Sequence, residues 1–155
     1  MVTFVPFCNI FDMNTEVIVN PVNCVGIMGK GLALQFKKKY PQNMEFYKNH
    51  CNNCNYRLGK ILVFPLQKDN NPKYIFNFPT KYDWRDKSDL EGIQLGLQDL
   101  VSWILYLEIK SIAIPALGCG LGGLPWPEVK SLCKRTLGRS KKLAHVDIII
   151  IEPYV

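Results

Sequence analysis

The chain has 155 residues, of which 48% are hydrophobic and 21% charged, and its formal net charge is +6. The length and composition predict one soluble domain, residues 1–155, with a core of its own. No apolar run approaches the roughly 18 residues of a membrane helix, and the amino terminus lacks the basic segment of a secretory signal, so no membrane partner is expected. The positive charge favours a polyanionic partner without identifying one.

In chain order, the first strong pattern is EVIVNPVN, residues 16–23, a β-branched apolar run that predicts a buried strand. A glycine loop and a short helix, GLALQFKKK (31–39), follow; its three terminal lysines are expected to be solvated and to offset the helix dipole. Pro41 is expected to end this helix. GKILVFPL (59–66) and KYIFNFP (73–79) predict two further strands joined by a turn.

The six cysteines lie mostly in strand-like, helix-like or glycine-rich contexts, which favours reduced thiols in the cytoplasm. HCNNC, residues 50–54, offers a single CxxC pair beside His50, whereas a structural zinc site needs four ligands. We interpret it as a polar surface loop and expect neither a metal nor a cofactor; a zinc site is the minor alternative. Cys119 is a minor candidate nucleophile if the fold places His50 or His145 beside it.

The segment after the strand at 73–79 is unusually rich in charged and aromatic residues: TKYDWRDK, residues 80–87. SDLE then predicts a capping box with Ser88 as the N-cap and Glu91 reaching back. Apolar residues at helical spacing predict a long helix after it, with Leu90, Ile93, Leu97, Leu100, Val101 and Ile104 on one face.

The last third of the chain repeats the order of strand, loop and helix. SIAIPAL (111–117) predicts a buried strand, GCGLGGLPW a glycine loop, and Pro127 and Glu128 the first turn of a helix. VDIIIIE (146–152) predicts a closing strand with both faces buried. Strands that alternate with helices predict an α/β fold with a sheet covered on both sides.

Two glycine loops, residues 26–32 and 118–124, each follow a buried strand and precede a helix. Glycine lets the backbone approach a ligand, and a helix N-terminus presents free amides, so we predict that the loops hold one diphosphate from two sides. Glycines that only make tight turns are the alternative. GCGLGG matches the dinucleotide-binding fingerprint literally, but the chain ends one strand later, and Gly31 follows Lys30 where a P-loop needs Ser or Thr.

Three blocks of sequence resemble a macrodomain: CNIFDMNTEVIVNPVNCVGIMGKGLALQFKKKYP, NFPTKYDWRDKSDLEGIQLGL and IPALGCGLGGLPWPEV. Within that superfamily they resemble the branch that contains the DarG antitoxin and the human terminal ADP-ribose protein glycohydrolase. The PTK..WR.KS.L pattern is closest to DarG-like members. The resemblance covers nearly the whole chain and implies a three-layer α/β/α fold with a central mixed sheet.

The resemblance also implies ADP-ribose in a cleft at the strand ends, with the diphosphate between the two glycine loops. The adenine contact maps to Asn9 and Ile10, where Asn9 replaces the usual carboxylate, and the distal-ribose asparagine maps to Asn23; a turn residue is the alternative for Asn23. The residues expected to bind ADP-ribose are Asn9, Ile10, Asn23, Gly26, Ile27, Met28, Gly29, Gly31, Leu32, Pro115, Leu117, Gly118, Cys119, Gly120, Leu121, Gly122 and Gly123.

Lys81 matches a lysine implicated in removing ADP-ribose in DarG-like proteins, so Lys81 and Asn23 are the candidate catalytic residues. Lys81 could act by charge, as an acid or base, or as a nucleophile toward C1″ of an opened ribose. The last role requires a neutral amine, which burial or a cationic neighbour such as Arg85 or Lys87 would favour. A solvated loop cation is the alternative.

Tyr82, Trp84 and Arg85 beside Lys81 indicate a nucleic-acid contact, because exposed aromatic side chains with basic neighbours stack bases and hold phosphate. DarG-like enzymes act on ADP-ribose attached to thymidine in DNA, so a base stacked near Trp84 would bring its glycosyl bond to Lys81. Core packing against the long helix is the alternative for Trp84.

Gly122 stands where the human relative carries an aspartate that completes catalysis, which favours the DNA-directed branch. The sequence thus predicts a glycohydrolase that removes ADP-ribose from thymidine-linked, single-stranded ADP-ribosylated DNA, with a cognate DNA ADP-ribosyltransferase toxin as a further candidate partner. The alternatives are a non-catalytic ADP-ribose-binding module and a hydrolase of protein-linked or small-molecule ADP-ribose esters. DarG antitoxins carry a further C-terminal region, so this chain is expected to be either an excised domain or a stand-alone relative.

Overall fold

The computed structural model describes residues 1–154, and Val155, the last residue of the predicted single domain, lies outside the described residues. The strands are β1 (Val2–Val5), β2 (Val17–Val22), β3 (Leu62–Pro65), β4 (Tyr74–Pro79), β5 (Ser111–Ile114) and β6 (Asp147–Ile151). They form one sheet in the order β1-β6-β5-β2-β4-β3. Every neighbouring pair is parallel except β3 with β4, which is antiparallel.

Helices cover both faces of this sheet. They are α1 (Gly31–Lys39), α2 (Pro41–Cys54), α3 (Leu90–Tyr106) and α4 (Trp126–Cys133), with short helical turns at Ile10–Asp12, Lys134–Gly138 and Lys141–Leu143. Residues of α1 and α2 pack on one face, and residues of α3 and α4 pack on the other. The predicted three-layer α/β/α fold with a mixed sheet is confirmed. Among the described residues, no helix is long and apolar enough to cross a membrane.

The strand β2 shows why its sequence is apolar at successive positions. Val17 and Val19 point into the larger core with α3 and α4, whereas Ile18 points into a smaller core with Phe36 of α1. Successive side chains of a strand face opposite sides, so a strand covered on both faces is apolar at most positions. The closing strand β6 behaves similarly, although its first residue, Asp147, is exposed.

The helix α2 was not predicted from the sequence. The predicted end of α1 before Pro41 is confirmed, because α1 ends at Lys39. Pro41 is then the first residue of α2, where its missing N–H costs nothing. HCNNC, residues 50–54, forms the last turns of α2, so its interpretation as a loop was wrong. The helix buries only Asn43 and Tyr47, so a polar residue stands where the apolar pattern needed a hydrophobic one.

The helix α3 begins one residue later than predicted. Its N-cap is Asp89, whose Oδ1 accepts a hydrogen bond from the Glu91 amide at 3.0 Å. The predicted capping box was therefore wrong: the Ser88 hydroxyl is buried and has no partner among residues 1–154, and the Ser88 amide donates to the carbonyl of Gly122 at 2.9 Å. This contact with the second glycine loop holds Ser88 outside the helix.

The contact between α3 and β4 depends on the absence of a side chain at Gly96. A Cβ added there would lie 2.5 Å from Cζ of Phe78, too close for any real contact. We expect Gly96→Ala to lower the free energy of unfolding by about 1–3 kcal/mol, because the ring or the helix must move. The control is Gly138→Ala, whose added Cβ meets nothing within 4 Å and should cost no stability. Urea unfolding curves measure both, and equal midpoints would contradict this packing.

Candidate active site

A cleft of about 1260 Å³ opens at the carboxyl ends of the parallel strands. Five strands, β1, β2, β4, β5 and β6, run in one direction, so the segments that follow them meet at one edge of the sheet. Residues within the segments 7–10, 21–35, 80–88, 115–122 and 151–154 line the cleft. Ligands of open α/β sheets bind at this edge, and the cleft is large enough for a dinucleotide-sized molecule.

The first glycine loop places the N-terminus of α1 at the cleft. The N-cap residue Lys30 makes no side-chain capping bond, and Gly31, Leu32 and Ala33 all line the cleft. The first amides of a helix have no acceptor within the helix, and the dipole adds a partial positive charge there. This end of α1 can therefore bind an anion such as a phosphate group.

The second glycine loop offers free amides without a helix N-terminus. Its turns are closed by bonds from the Leu124 amide to Gly118 and from the Gly123 amide to Gly120, at 2.9 and 3.2 Å. Within the described part of the chain, the amides of residues 120–122 have no protein acceptor. The helix α4 starts at Trp126, which does not line the cleft, so the predicted second helix terminus is not part of the site.

The two loops approach each other across the cleft. A Cβ added at Gly31 would lie 3.5 Å from Cδ1 of Leu121. At Gly122 a Cβ would lie 2.0 Å from Oγ of Ser88 and 2.6 Å from the carbonyl of Gly118, so any side chain, an aspartate included, would collide in this loop conformation. Amides from both loops are thus brought to one place, where a diphosphate would fit between them.

The charged loop, residues 80–89, is tied to the end of β2 and to the segment that follows β2. The Thr80 amide donates to the carbonyl of Val22 at 2.9 Å, and the Cys24 amide donates to the carbonyl of Tyr82 at 2.7 Å. Lys81 is half-buried in the cleft wall, and its Nζ donates to the carbonyl of Trp84 at 3.3 Å. The ammonium group is therefore held at the cleft by its own loop.

Two acids of this loop build its structure. Arg85 donates from Nε and Nη2 to the two carboxylate oxygens of Asp83, both at 2.9 Å, and these hydrogen bonds lower the pKa of Asp83 to about 2. The Asp83 amide donates to Oδ2 of Asp86 at 3.2 Å. The Arg85 guanidinium lies 5.5 Å from the ring centroid of Trp84. The indole is 48% exposed, which argues against the core-packing alternative.

Asn9 and Ile10 lie at another part of the cleft, beside the chain terminus. Oδ1 of Asn9 accepts from the Phe11 amide at 3.0 Å and so caps the short helical turn. Phe7 and Tyr154 meet there edge to face, with ring centroids 5.5 Å apart, and both rings are exposed. This aromatic pair was not predicted from the sequence, because its members are far apart along the chain.

Glu152 lines the same region of the cleft and was also not predicted from the sequence as a site residue. Its Oε2 accepts from Nε1 of Trp126 and Nζ of Lys130, both at 3.0 Å. These two hydrogen bonds lower the pKa of Glu152, so the carboxylate is ionised at neutral pH. A fixed negative charge at this position can accept a hydrogen bond from a ligand amine.

Most predicted site residues line the cleft, but five do not. Met28 and Leu117 are buried in the cores, Gly26 packs against α2, and Gly123 and Tyr82 lie outside the lining. The predicted residues that the structure brings together in the lining are Asn9, Ile10, Asn23, Ile27, Gly29, Gly31, Leu32, Lys81, Trp84, Arg85, Pro115, Gly118, Cys119, Gly120, Leu121 and Gly122.

The minor alternatives for cysteine and metal chemistry gain no support. Burial raises the pKa of the Cys119 thiol to about 11, so the thiol is protonated at neutral pH and is a weak nucleophile. His50 instead packs edge to face on Tyr56, with centroids 5.1 Å apart. Within residues 1–154, no three His, Cys, Asp or Glu side chains converge as metal ligands would.

The comparisons with known proteins agree with this geometry. The Macro domain family profile matches residues 19–133. A DNA ADP-ribosyl glycohydrolase of Thermus aquaticus is 45% identical over 145 residues, which are 94% of this chain and 39% of that protein. The chain thus spans about two fifths of the length of this relative and of the Mycobacterium DNA ADP-ribosyl glycohydrolases.

Two solved structures match nearly the whole of this chain, and one of them is also matched over nearly its own whole length. The macrodomain of Mycobacterium tuberculosis DarG superposes with a TM-score of 0.93 at 41% identity and covers 99% of both chains. Thermosipho africanus DarTG in complex with ADP-ribose superposes with a TM-score of 0.83 at 33% identity, over 94% of this chain and 40% of that one.

The pairing of Asp83 with Arg85 predicts how the carboxyl group of Asp83 titrates. The folded-state pKa of Asp83 is depressed, so the pair contributes to stability above the ordinary value of 3.8, and this contribution is lost as the pH falls through about 2. In Arg85→Ala the pKa of Asp83, followed by carboxyl NMR, should rise from about 2 toward 3.8. Lys87→Ala is the matched control and should leave it unchanged. An unaltered titration in Arg85→Ala would show that this pair does not form.

Proposed function

Because this chain belongs to the Macro domain family, we propose that it hydrolyses the bond between ADP-ribose and thymidine in single-stranded DNA. The family and the similarity to DarG macrodomains support ADP-ribose as the ligand. The observation that carries the proposal is one loop that places Lys81 and Trp84 on the wall of a cleft with two sets of free amides. A phosphate-binding cleft and a base-stacking side chain are thereby combined with a candidate catalytic cation.

We place the diphosphate between the N-terminus of α1 and the amides of residues 120–122. The adenine then lies toward Asn9, where Phe7 and Tyr154 offer exposed ring surface. Stacking on such rings is worth about 1–3 kcal/mol per base. The side-chain amide N–H groups of Asn9 and the carboxylate of Glu152 offer donors and an acceptor for the edge of the base.

The distal ribose then lies near Asn23 and Lys81. In the proposed reaction the C1″–thymine bond breaks, its electron pair leaves with the base, and the Lys81 ammonium gives that base a proton. A water molecule adds to C1″ and gives a proton to the now neutral Lys81 amine, which restores the ammonium, so the products are ADP-ribose and unmodified thymidine. General acid catalysis of this kind typically contributes a factor of about 10²–10⁴.

Trp84 and Arg85 extend the cleft beyond the ADP-ribose position. The exposed indole can stack on the modified thymine or on its neighbour, and a single strand supplies such bases without the cost of opening a duplex. Arg85 already binds Asp83 and lies over the indole, so it orders this surface as well as adding positive charge.

We also propose a source for the substrate and a cellular compartment for the protein. Thymidine-linked ADP-ribose must be made by a DNA ADP-ribosyltransferase, so such an enzyme, a cognate toxin, is the proposed partner. All six cysteines lie within the described residues and are free thiols, which supports a reducing compartment such as the cytoplasm.

We expect Lys81→Ala to lower single-turnover release of ADP-ribose from an oligonucleotide modified on one thymidine by at least about 10²-fold, because the proton donor is lost. Lys68→Ala, at an exposed turn lysine outside the cleft, is the control and should behave as wild type. Release is followed by chromatography of the oligonucleotide.

Three results would overturn parts of this proposal. Full activity of Lys81→Ala would remove Lys81 from the chemistry. A lysine adduct trapped by borohydride during turnover would replace proton donation by a covalent route. Binding of ADP-ribose by wild type without release from DNA would indicate a non-catalytic module, or a hydrolase of protein-linked esters if a glutamate-linked substrate is cleaved.

We expect Trp84→Ala to weaken binding of a modified oligonucleotide about tenfold while binding of free ADP-ribose stays nearly constant, because only the DNA would contact the indole. Tyr82→Ala is the matched control. Its ring is 52% exposed but lies outside the cleft lining, so its effect should be smaller. Fluorescence anisotropy of labelled oligonucleotides measures both, and equal losses for the two variants would contradict the assigned base contact.

A further inference from the structure

The helix α2, which was not predicted from the sequence, is linked to the cleft residue Asn23 by the hydroxyl group of Tyr47. Tyr47 is fully buried on α2, directly behind the first glycine loop. Its hydroxyl lies 2.7 Å from Oδ1 and 2.8 Å from the backbone carbonyl of Asn23. Burial and the nearby Cys51 thiol raise the pKa of Tyr47, so the hydroxyl remains protonated and acts as a donor.

The hydrogen bonds of the Asn23 side chain leave one group free for a ligand. Oδ1 accepts from the Tyr47 hydroxyl and from the Val25 amide at 3.1 Å, with the Ile27 amide at 3.4 Å. Nδ2 donates one hydrogen to the carbonyl of Ile27 at 2.7 Å. A primary amide has two N–H groups and one oxygen, so the acceptor is saturated and one N–H remains. Asn23 lines the cleft and is 5% exposed.

We propose that Tyr47 is a positioning residue that holds the Asn23 amide in this orientation, so that Asn23 can offer the ligand a hydrogen-bond donor and no acceptor. This inference rests on the proposed function, because it assigns the ligand group at Asn23 to an acceptor such as a hydroxyl oxygen of the ribose. Tyr47 itself lies outside the cleft lining and acts only through Asn23.

The helix α2 is held on the sheet independently of the Tyr47 hydroxyl. Asn43 of α2 and Asn77 of β4 form a reciprocal amide pair, with N–O distances of 2.8 and 3.0 Å. Asn20 of β2 donates to the same Asn77 oxygen at 3.1 Å. Gly26 packs against the helix, since an added Cβ there would lie 3.5 Å from Cβ of Cys51. Removing the Tyr47 hydroxyl should therefore remove one of the contacts that orient the Asn23 amide without displacing α2.

The first experiment compares two buried tyrosines. Tyr47→Phe and Tyr56→Phe each remove a buried phenol hydroxyl, but that of Tyr56 donates to the carbonyls of Lys60 and Asn77 and not to Asn23. We expect Tyr47→Phe to weaken ADP-ribose binding, measured by calorimetry, about fivefold, the size of one net hydrogen bond. Tyr56→Phe should stay within twofold of wild type, although both variants lose thermal stability.

A double-mutant cycle tests whether Tyr47 acts through Asn23. In an Asn23→Ala background, Tyr47→Phe should cause no further loss of affinity, because the group that it positions is absent. Asn23→Asp should bind ADP-ribose more weakly than Asn23→Ala, because it presents an acceptor where a donor is needed. An undiminished effect of Tyr47→Phe in the Asn23→Ala background, or equal affinities for the two tyrosine variants, would overturn the inference.

The failure of this inference can be distinguished from failure of the proposed function. If wild type bound no ADP-ribose, the proposed function would fail. The Asn23 side-chain amide resonances in ¹⁵N NMR spectra would still test the positioning: they should shift in Tyr47→Phe and not in Tyr56→Phe. Identical spectra for the two variants would show that Tyr47 does not position Asn23.

Discussion

The parallel pairing of β2 with β4 on one side and β5 on the other is the constraint on which the cleft depends. Parallel strands end at the same edge of a sheet, so the first glycine loop, the charged loop and the second glycine loop must emerge side by side. Both faces of the central strands are buried, which prevents β2 from shifting its register without exposing one core. The positions of the two glycine loops and of the charged loop follow from this pairing.

The density of charge in residues 80–89 has two different causes. Asp83, Asp86 and Arg85 form hydrogen bonds with one another within the loop, and these bonds hold the loop in a compact turn. That internal structure leaves Lys81 and Trp84 directed to the cleft, with the lysine held by a backbone carbonyl of the same loop. The acids therefore position the groups that are proposed to act, and the arginine belongs to both sets.

Amides and hydroxyl groups buried beneath the cleft connect its floor to the helix α2. The pair Asn43–Asn77 places a helix against the sheet, and Tyr47 connects that helix to Asn23. Buried polar groups of this kind are costly unless they are paired, so they specify one arrangement of the layers more sharply than apolar contacts do. These buried polar groups are also the reason that α2 was not predicted from the sequence, since asparagine at an inward position interrupts the apolar pattern of a helix.

The sequence by itself determined the α/β class, five of the six strands together with α1, α3 and α4, and the loops that meet at the cleft, because apolar periodicity and glycine or proline punctuation are local signals. The resemblance added the family and the candidate roles of Asn23 and Lys81. Only the tertiary structure decided that the Ser88 amide bonds to the Gly122 carbonyl while Ser88 does not cap the helix. It also decided that the ring of Phe7 packs on that of Tyr154, and that Met28 and Leu117 are buried in the cores. These contacts join residues distant along the chain, and a long-range hydrogen bond or a buried surface can outweigh a local preference worth about 1 kcal/mol.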